Sequence, residues 1–208
     1  MPLTPPADAA IFDFDGVIID SRQPVETAIN GALRAHGFAA RSAEETARFI
    51  GPPALVAFAE LTGAAQDSQI VAECVATYHE IFARVYLEQT QLIDGMPELL
   101  RSLTLPLALA TSKVRQFVAP LLQQFGLQFD VVSAPELDEP KAQTVARAQR
   151  ELGARTPVVV GDRFYDVDAA RACGLRAIGV TWGIGDRHEL RGADVIVERQ
   201  EELRALLA

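Results

Sequence analysis

Cysteine is nearly absent from this chain. Only Cys74 and Cys173 occur in 208 residues, and neither their number nor their spacing suits a disulfide framework or a zinc site. Both fall in apolar helical patterns and read as buried thiols. That fits a reducing compartment, so a cytoplasmic protein is expected. Histidine is scarce too: His36, His79 and His188 fit no ligand spacing and read as structural or exposed. Basic residues are the minority, 19 against 28 acidic ones, for a net charge of -9. Such a chain repels nucleic-acid phosphates, and no Lys/Arg stripe offsets the repulsion, so no nucleic-acid partner is expected. No apolar run is long enough to span a bilayer, and no membrane partner is expected either. The N-terminus reads Met-Pro-Leu-Thr-Pro-Pro. It has neither a basic n-region nor an apolar h-region, so no secretory signal is expected.

About half of the residues are apolar, enough to fill the core of one α/β domain with a smaller insertion. Short apolar runs at 9–14, 105–110, 129–133, 157–161, 177–180 and 194–197 lack strict alternation. Such runs predict strands covered on both faces. Helical patterns at 97–103, 114–125, 142–152 and 167–173 separate the later runs. Gly126, Gly153 and Gly174 sit where helices should stop. The alternation predicts an α/β fold: a doubly wound parallel-sheet, Rossmann-like core. One interval breaks the rhythm. Val25, Ile29 and Leu33, then Ile70, Cys74, Tyr78, Phe82 and Val85, carry helical spacing. Residues 21–93 therefore read as an inserted all-helical cap domain, between core segments 1–20 and 94–208. Pro24 and the Asp94-Gly95 pair look like its two ends. Its apolar face could bury itself internally or in a dimer, so a monomer or homodimer is expected.

The chemistry-bearing residues fall at the ends of the apolar runs. The first ends in Asp13-Phe14-Asp15-Gly16. In open α/β sheets ligands bind outside the C-terminal ends of strands, and residues i and i+2 of extended backbone point the same way. Taken alone, the motif reads equally well as a strand-ending turn. Gly161-Asp162-Arg163-Phe164-Tyr165-Asp166 follows Val158-Val159-Val160 and could equally be a helix cap with a turn acid. Together they put four carboxylates on one sheet edge, where like charges about 4 Å apart repel by roughly 1–4 kcal/mol per pair. A cation would relieve that cost. Oxygen donors without His or Cys favour magnesium over zinc. Thr111-Ser112 ends the second run and can hold phosphate oxygens or simply cap a helix. Lys141 opens a helical pattern, a place the helix dipole disfavours. A carboxylate site in front of it would explain the placement, and a solvated surface lysine is the plainer alternative.

The order Asp13-x-Asp15-Gly16, Thr111, Lys141, Gly161-Asp162-x-x-x-Asp166 resembles the four motifs of the haloacid dehalogenase-like superfamily. Arg48-Phe49-Ile50-Gly51-Pro52-Pro53 and Gly179-Val180-Thr181-Trp182-Gly183 resemble its phosphoglycolate phosphatase-like group, which carries a helical cap. The resemblance implies a phosphomonoester hydrolase acting on a small phosphorylated metabolite. Asp13 would be the nucleophile and form an aspartyl-phosphate. Asp15 would be the general acid, then base. Thr111 and Lys141 would bind the transferring phosphoryl group, with Gly16 and Ser112 beside them. Asp13, the Asp15 carbonyl, Asp162 and Asp166 would hold Mg2+. Arg48 could reach an acid group of the substrate or be a solvated helix residue. Lys113 and Arg163 stand between site and surface, and Trp182 reads as packing near the site. The acid at Asp15 argues against the dehalogenase branch. The stretch Asp20-Ser21-Arg22-Gln23-Pro24-Val25 lacks the hinge histidine of β-phosphoglucomutases, which ranks a sugar-phosphate mutase lower. A catalytically silent binding protein of the same fold is the third reading. The hinge Ile93-Asp94-Gly95-Met96 and the context of Lys141 depart from the family pattern, which leaves the substrate open.

Overall fold

The computed structural model describes residues 4–136 and 139–208. Residues 1–3 of the Pro-rich start, where the secretory-signal expectation begins, lie outside the described residues. The chain forms two compact units. One joins Met1–Asp20 to Leu92–Ala208, and the other is Ser21–Gln91.

The first unit opens with β1 (Ala10–Phe12) and the two-residue β2 (Ile19–Asp20). The second unit holds α1 (Arg22–Ala35), α2 (Ala43–Ala47), α3 (Ala54–Thr62) and α4 (Gln69–Gln89). After β3 (Gln91–Leu92) the chain alternates through α5 (Met96–Ser102), β4 (Leu107–Ala110), α6 (Arg115–Phe125), β5 (Val131–Ser133), α7 (Lys141–Leu152), β6 (Val158–Gly161), α8 (Phe164–Ala172), β7 (Arg176–Val180), β8 (Val195–Val197) and α9 (Gln200–Leu207).

Six strands form one sheet in the order β5-β4-β1-β6-β7-β8. Every pairing in it is parallel. This is the doubly wound order, with its switch point beside β1. Every residue of β1, β4 and β6 is buried, which is why these strands read as unbroken apolar runs. On one face Ile11, Ala108, Ala110 and Val159 pack against Val145 and Ala148 of α7 and Val167 and Ala170 of α8. The small alanines let those helices lie close. Phe12, Leu109 and Val160 alternate to the opposite face and are also buried.

In the helical unit α1 and α4 pair along their lengths. Val25, Ala28, Ile29, Ala32 and Leu33 of α1 are buried. Gly31 is the close approach: a Cβ there would lie 2.5 Å from Ile81 Cδ1. Asn30, also buried, accepts from the Arg41 N–H at 2.7 Å and donates to the Arg41 carbonyl at 3.0 Å, pinning the turn that follows α1. Phe58, Tyr78, Phe82 and Tyr86 form a ladder with 5.7 Å between successive ring centroids.

Helix α4 contains the residues read at helical spacing; Cys74 and Phe82 are buried, Ile70, Tyr78 and Val85 are half-buried, and Val71 and Tyr86 complete its buried stripe. Pro24 lies in the first turn of α1, close to where the helical unit begins at Ser21, and no intrahelical donor is lost there. Two expectations are corrected. Helix α8 begins at Phe164, ahead of the expected start, because Asp166 caps it from inside its first turn. Cys74 is buried, but Cys173 is half-buried at the end of α8.

Candidate active site

The site is assembled where β1 and β6 run side by side. Their register, Phe12 opposite Val160, carries Asp13 and Gly161 past the sheet edge together. The Asp13 N–H donates to the Val160 carbonyl at 2.9 Å and ends the ladder. Asp15 lies two residues on. Gly16 then turns the chain with φ 82°, and its N–H donates to the Ile19 carbonyl at 2.7 Å. A Cβ on Gly16 would sit 2.2 Å from Asp162 Oδ2. Glycine is therefore required twice here, for the backbone and for the space.

Asp162 follows β6 and is fully buried. Its Oδ2 accepts from the Ile184 N–H at 2.6 Å and the Gly185 N–H at 3.4 Å. Its Oδ1 is buried without a hydrogen-bond partner among the described residues. Asp166 lies in the first turn of α8, and its Oδ2 accepts from the Arg163 N–H at 3.2 Å. One carboxylate oxygen from each of Asp13, Asp162 and Asp166 lies within 4.8 Å of the others. Lys141, the first residue of α7, reaches into this group. Its Nζ stands 2.5 Å from Asp13 Oδ1 and 2.9 Å from Asp166 Oδ1.

One ammonium does not neutralise three buried carboxylates. Burial and then the charge of Asp166 push Asp13 well above the usual carboxylate range, against the pull of Lys141. Burial and then Asp166 push Asp162 up to about 7, although the Ile184 and Gly185 amides pull the other way. Burial by itself disfavours the charge on Lys141, but Asp13 and Asp166 outweigh it and raise the lysine above its ordinary value. The group thus lacks positive charge. The bare Oδ1 of Asp162, an all-oxygen donor set and the surplus of anions fit a hard divalent cation such as magnesium.

On the other side of β1, β4 ends at Ala110, and buried Thr111 follows. Its N–H donates to the Ser133 carbonyl at 3.1 Å, and its hydroxyl accepts from the Lys113 N–H at 3.0 Å. Ser112 is half-buried between them. The structure thus brings Asp13, Asp15, Gly16, Thr111, Ser112, Lys141, Asp162 and Asp166 to one sheet edge. Arg48 belongs to the helical unit, where it is exposed, pairs with Glu60 at 3.2 Å and lies over the Phe49 ring. Lys113 and Arg163 both stood between site and surface in the sequence, and both are buried or nearly so. Lys113 Nζ lies 3.1 Å from Asp15 Oδ1, with both side chains about nine-tenths buried. Arg163 is buried and pairs with Glu189 at 2.6 Å. Trp182 donates from Nε1 to the Val17 carbonyl at 3.2 Å. The amides of Ile184 and Gly185 went unread. Their signal was the pair Gly183 and Gly185, spaced two apart just past β7.

A family model described as haloacid dehalogenase-like hydrolase matches residues 10–180. The chain belongs to that family. The matched span takes in all four motifs that carried the resemblance. Among the relatives of this haloacid dehalogenase-like hydrolase are a 5'-nucleotidase of Pseudomonas aeruginosa and a phosphoglycolate phosphatase of Yersinia pestis. The first is 30% identical, covering 87% of this chain and 86% of the relative. The second is 30% identical, covering 83% and 80%. The crystal structure of a predicted phosphatase from Clostridium acetobutylicum superposes with a TM-score of 0.88 at 27% identity, covering 96% and 97% of the two chains. No helix among the described residues is long and apolar enough to cross a membrane.

Proposed function

We propose that this hydrolase is a magnesium-dependent phosphatase that cleaves a small phosphorylated metabolite through an aspartyl-phosphate on Asp13. The observation that carries the reading is the Lys141 ammonium held between Asp13 and Asp166, in a carboxylate group whose third member, Asp162, has an Oδ1 without a hydrogen-bond partner among the described residues. An anion-rich, buried group with one cation suits a ligand that brings both a metal and a phosphate.

Asp13, Asp162 and Asp166 would hold the cation, with the Asp15 carbonyl beside them. When bound, it would offset the negative charge of the transferring phosphoryl group. An Asp13 oxygen attacks phosphorus in line, and the bond to the leaving oxygen breaks as Asp15 hands that oxygen a proton. Asp15, now a carboxylate, takes a proton from water. The water oxygen attacks the phosphoaspartate, and the Asp13–phosphorus bond breaks to release inorganic phosphate. Thr111, Ser112 and Lys141 hold the phosphoryl oxygens during both transfers. The names of the relatives place a nucleoside monophosphate and phosphoglycolate in the first panel of substrates.

The test is phosphate release from that panel with magnesium, using wild type and Asp13→Asn side by side. Release by wild type alone is expected, and a phosphoprotein trapped by acid quench should be absent from Asp13→Asn. Equal release by both proteins would overturn Asp13 as nucleophile.

A further inference from the structure

Asp162 is presented by a segment to which the reaction scheme gives no role, residues 182–185. Four observations meet there. The Ile184 and Gly185 amides both point at Asp162 Oδ2, while Oδ1 is left without a hydrogen-bond partner among the described residues. A Cβ on Gly183 would lie 2.3 Å from Asp162 Oδ2, and one on Gly185 would lie 2.2 Å from the Asp162 carbonyl oxygen. Neither glycine has a positive φ. Their backbone would therefore admit any residue, and it is the space that demands glycine. Trp182 ties the segment to the turn after Asp15 through the Val17 carbonyl. At the far end, Arg163 and Glu189 pair at 2.6 Å, and Asp186 accepts from the His188 and Glu189 amides at 2.7 and 3.0 Å.

We propose that residues 182–185 are a positioning element that turns the Asp162 carboxylate, committing Oδ2 to main-chain amides and leaving Oδ1 for the divalent cation. An amide-bound oxygen cannot rotate away, so the second oxygen is fixed without the cation having to order it. Groups that orient a metal ligand typically carry a factor of 10–100 in metal affinity. The inference rests on the reading that Asp162 ligates a cation, and the test separates the two.

The experiment is calorimetric titration of the full chain with Mg2+ and Mn2+, on wild type, Asp162→Asn, Gly183→Ala and Trp182→Phe. Gly183→Ala should weaken cation binding by about 10–100-fold. Its apparent metal requirement for turnover should rise in step, while its melt in EDTA stays a single transition. Trp182→Phe, which keeps the ring and loses the donor, should weaken binding less. Wild-type affinity in Gly183→Ala, with Asp162→Asn defective, would overturn the positioning role alone. Wild-type affinity in Asp162→Asn would overturn the cation reading beneath it. Should Gly183→Ala not fold, the amide spectrum of wild type decides. The Ile184 N–H signal should lie downfield, move on magnesium addition and collapse toward ordinary values in Asp162→Asn. An Ile184 signal indifferent to both would sink the proposal.

Discussion

Lys141 occupies the first turn of α7, where the helix dipole works against a positive charge. What holds it there is the pair of carboxylates at 2.5 and 2.9 Å. Removing one partner from a buried ion pair costs about 3–5 kcal/mol, because the other partner is left charged and dry. Lys141→Met keeps the stem and deletes the charge. Its unfolding free energy from urea titration in EDTA should fall by that amount, and magnesium should restore part of it. An unchanged free energy would mean that Lys141 is solvated. Lys113 and Asp15 form a second pair with a different consequence. Asp15→Asn should lower kcat by about 10²–10⁴-fold as the proton donor is lost. Lys113→Met should cost about 10²-fold by letting the carboxylate drift from its geometry. The double variant should be no slower than Asp15→Asn, since the lysine acts through the acid. Multiplying losses would show an independent role for Lys113. The acids were legible in the sequence because each follows an apolar run, and strand ends are where such folds put ligands. The Lys113–Asp15 contact was not. It depends on how two strand-end turns meet across the β1–β4 pairing, which no spacing along the chain encodes.

The elements divide by how much of each one is buried. Strands β1, β4 and β6 are covered on both faces, so burial wrote itself into the chain as unbroken apolar runs. Strands β2 and β3 are two residues each, too short to carry any period. Helix α9 buries only Leu203 and Leu207 among charged neighbours, so its apolar signal was lost in its polar face. The insertion was legible as helical, yet the contact between α1 and α4 hinges on Gly31, a residue that periodicity ignores. Gly31→Leu must fit a side chain where a Cβ alone would stand 2.5 Å from Ile81 Cδ1. Overpacking of this kind costs about 1–3 kcal/mol. It should exceed the roughly 1 kcal/mol that replacing a helical glycine returns. Chemical denaturation of Gly31→Leu should show a net loss, and Ile81→Ala in the same chain should recover much of it. A Gly31→Leu variant as stable as wild type would show that the helices part easily.

Over the whole molecule the acid surplus becomes a dependence on pH. Asp162 titrates near 3.8 when exposed and is pushed up to about 7 in the fold, chiefly by burial and then by Asp166. Asp13 is displaced in the same direction. Between these values the folded protein holds protons that the unfolded chain has released, so stability falls as pH rises. The contribution is complete below about 3.8 and gone once the pH passes about 7. The lowered acids, Asp8, Glu45, Asp186 and Glu202, act oppositely, but their effect is confined to acidic pH near and below their ordinary values. From pH 5 to 7.5 the site acids therefore set the slope. In EDTA the urea midpoint should decline across that range, and Asp162→Asn, with no carboxylate to charge, should flatten the decline. Magnesium competes with the same protons. Its stabilisation, about 2.7 kcal/mol at a hundred times its dissociation constant, should grow as pH rises and flatten the slope, because the metal-bound site then holds no more protons than the unfolded chain. A wild-type profile that falls equally with and without magnesium would place the cation elsewhere. An identical slope in Asp162→Asn would assign the titration to other groups.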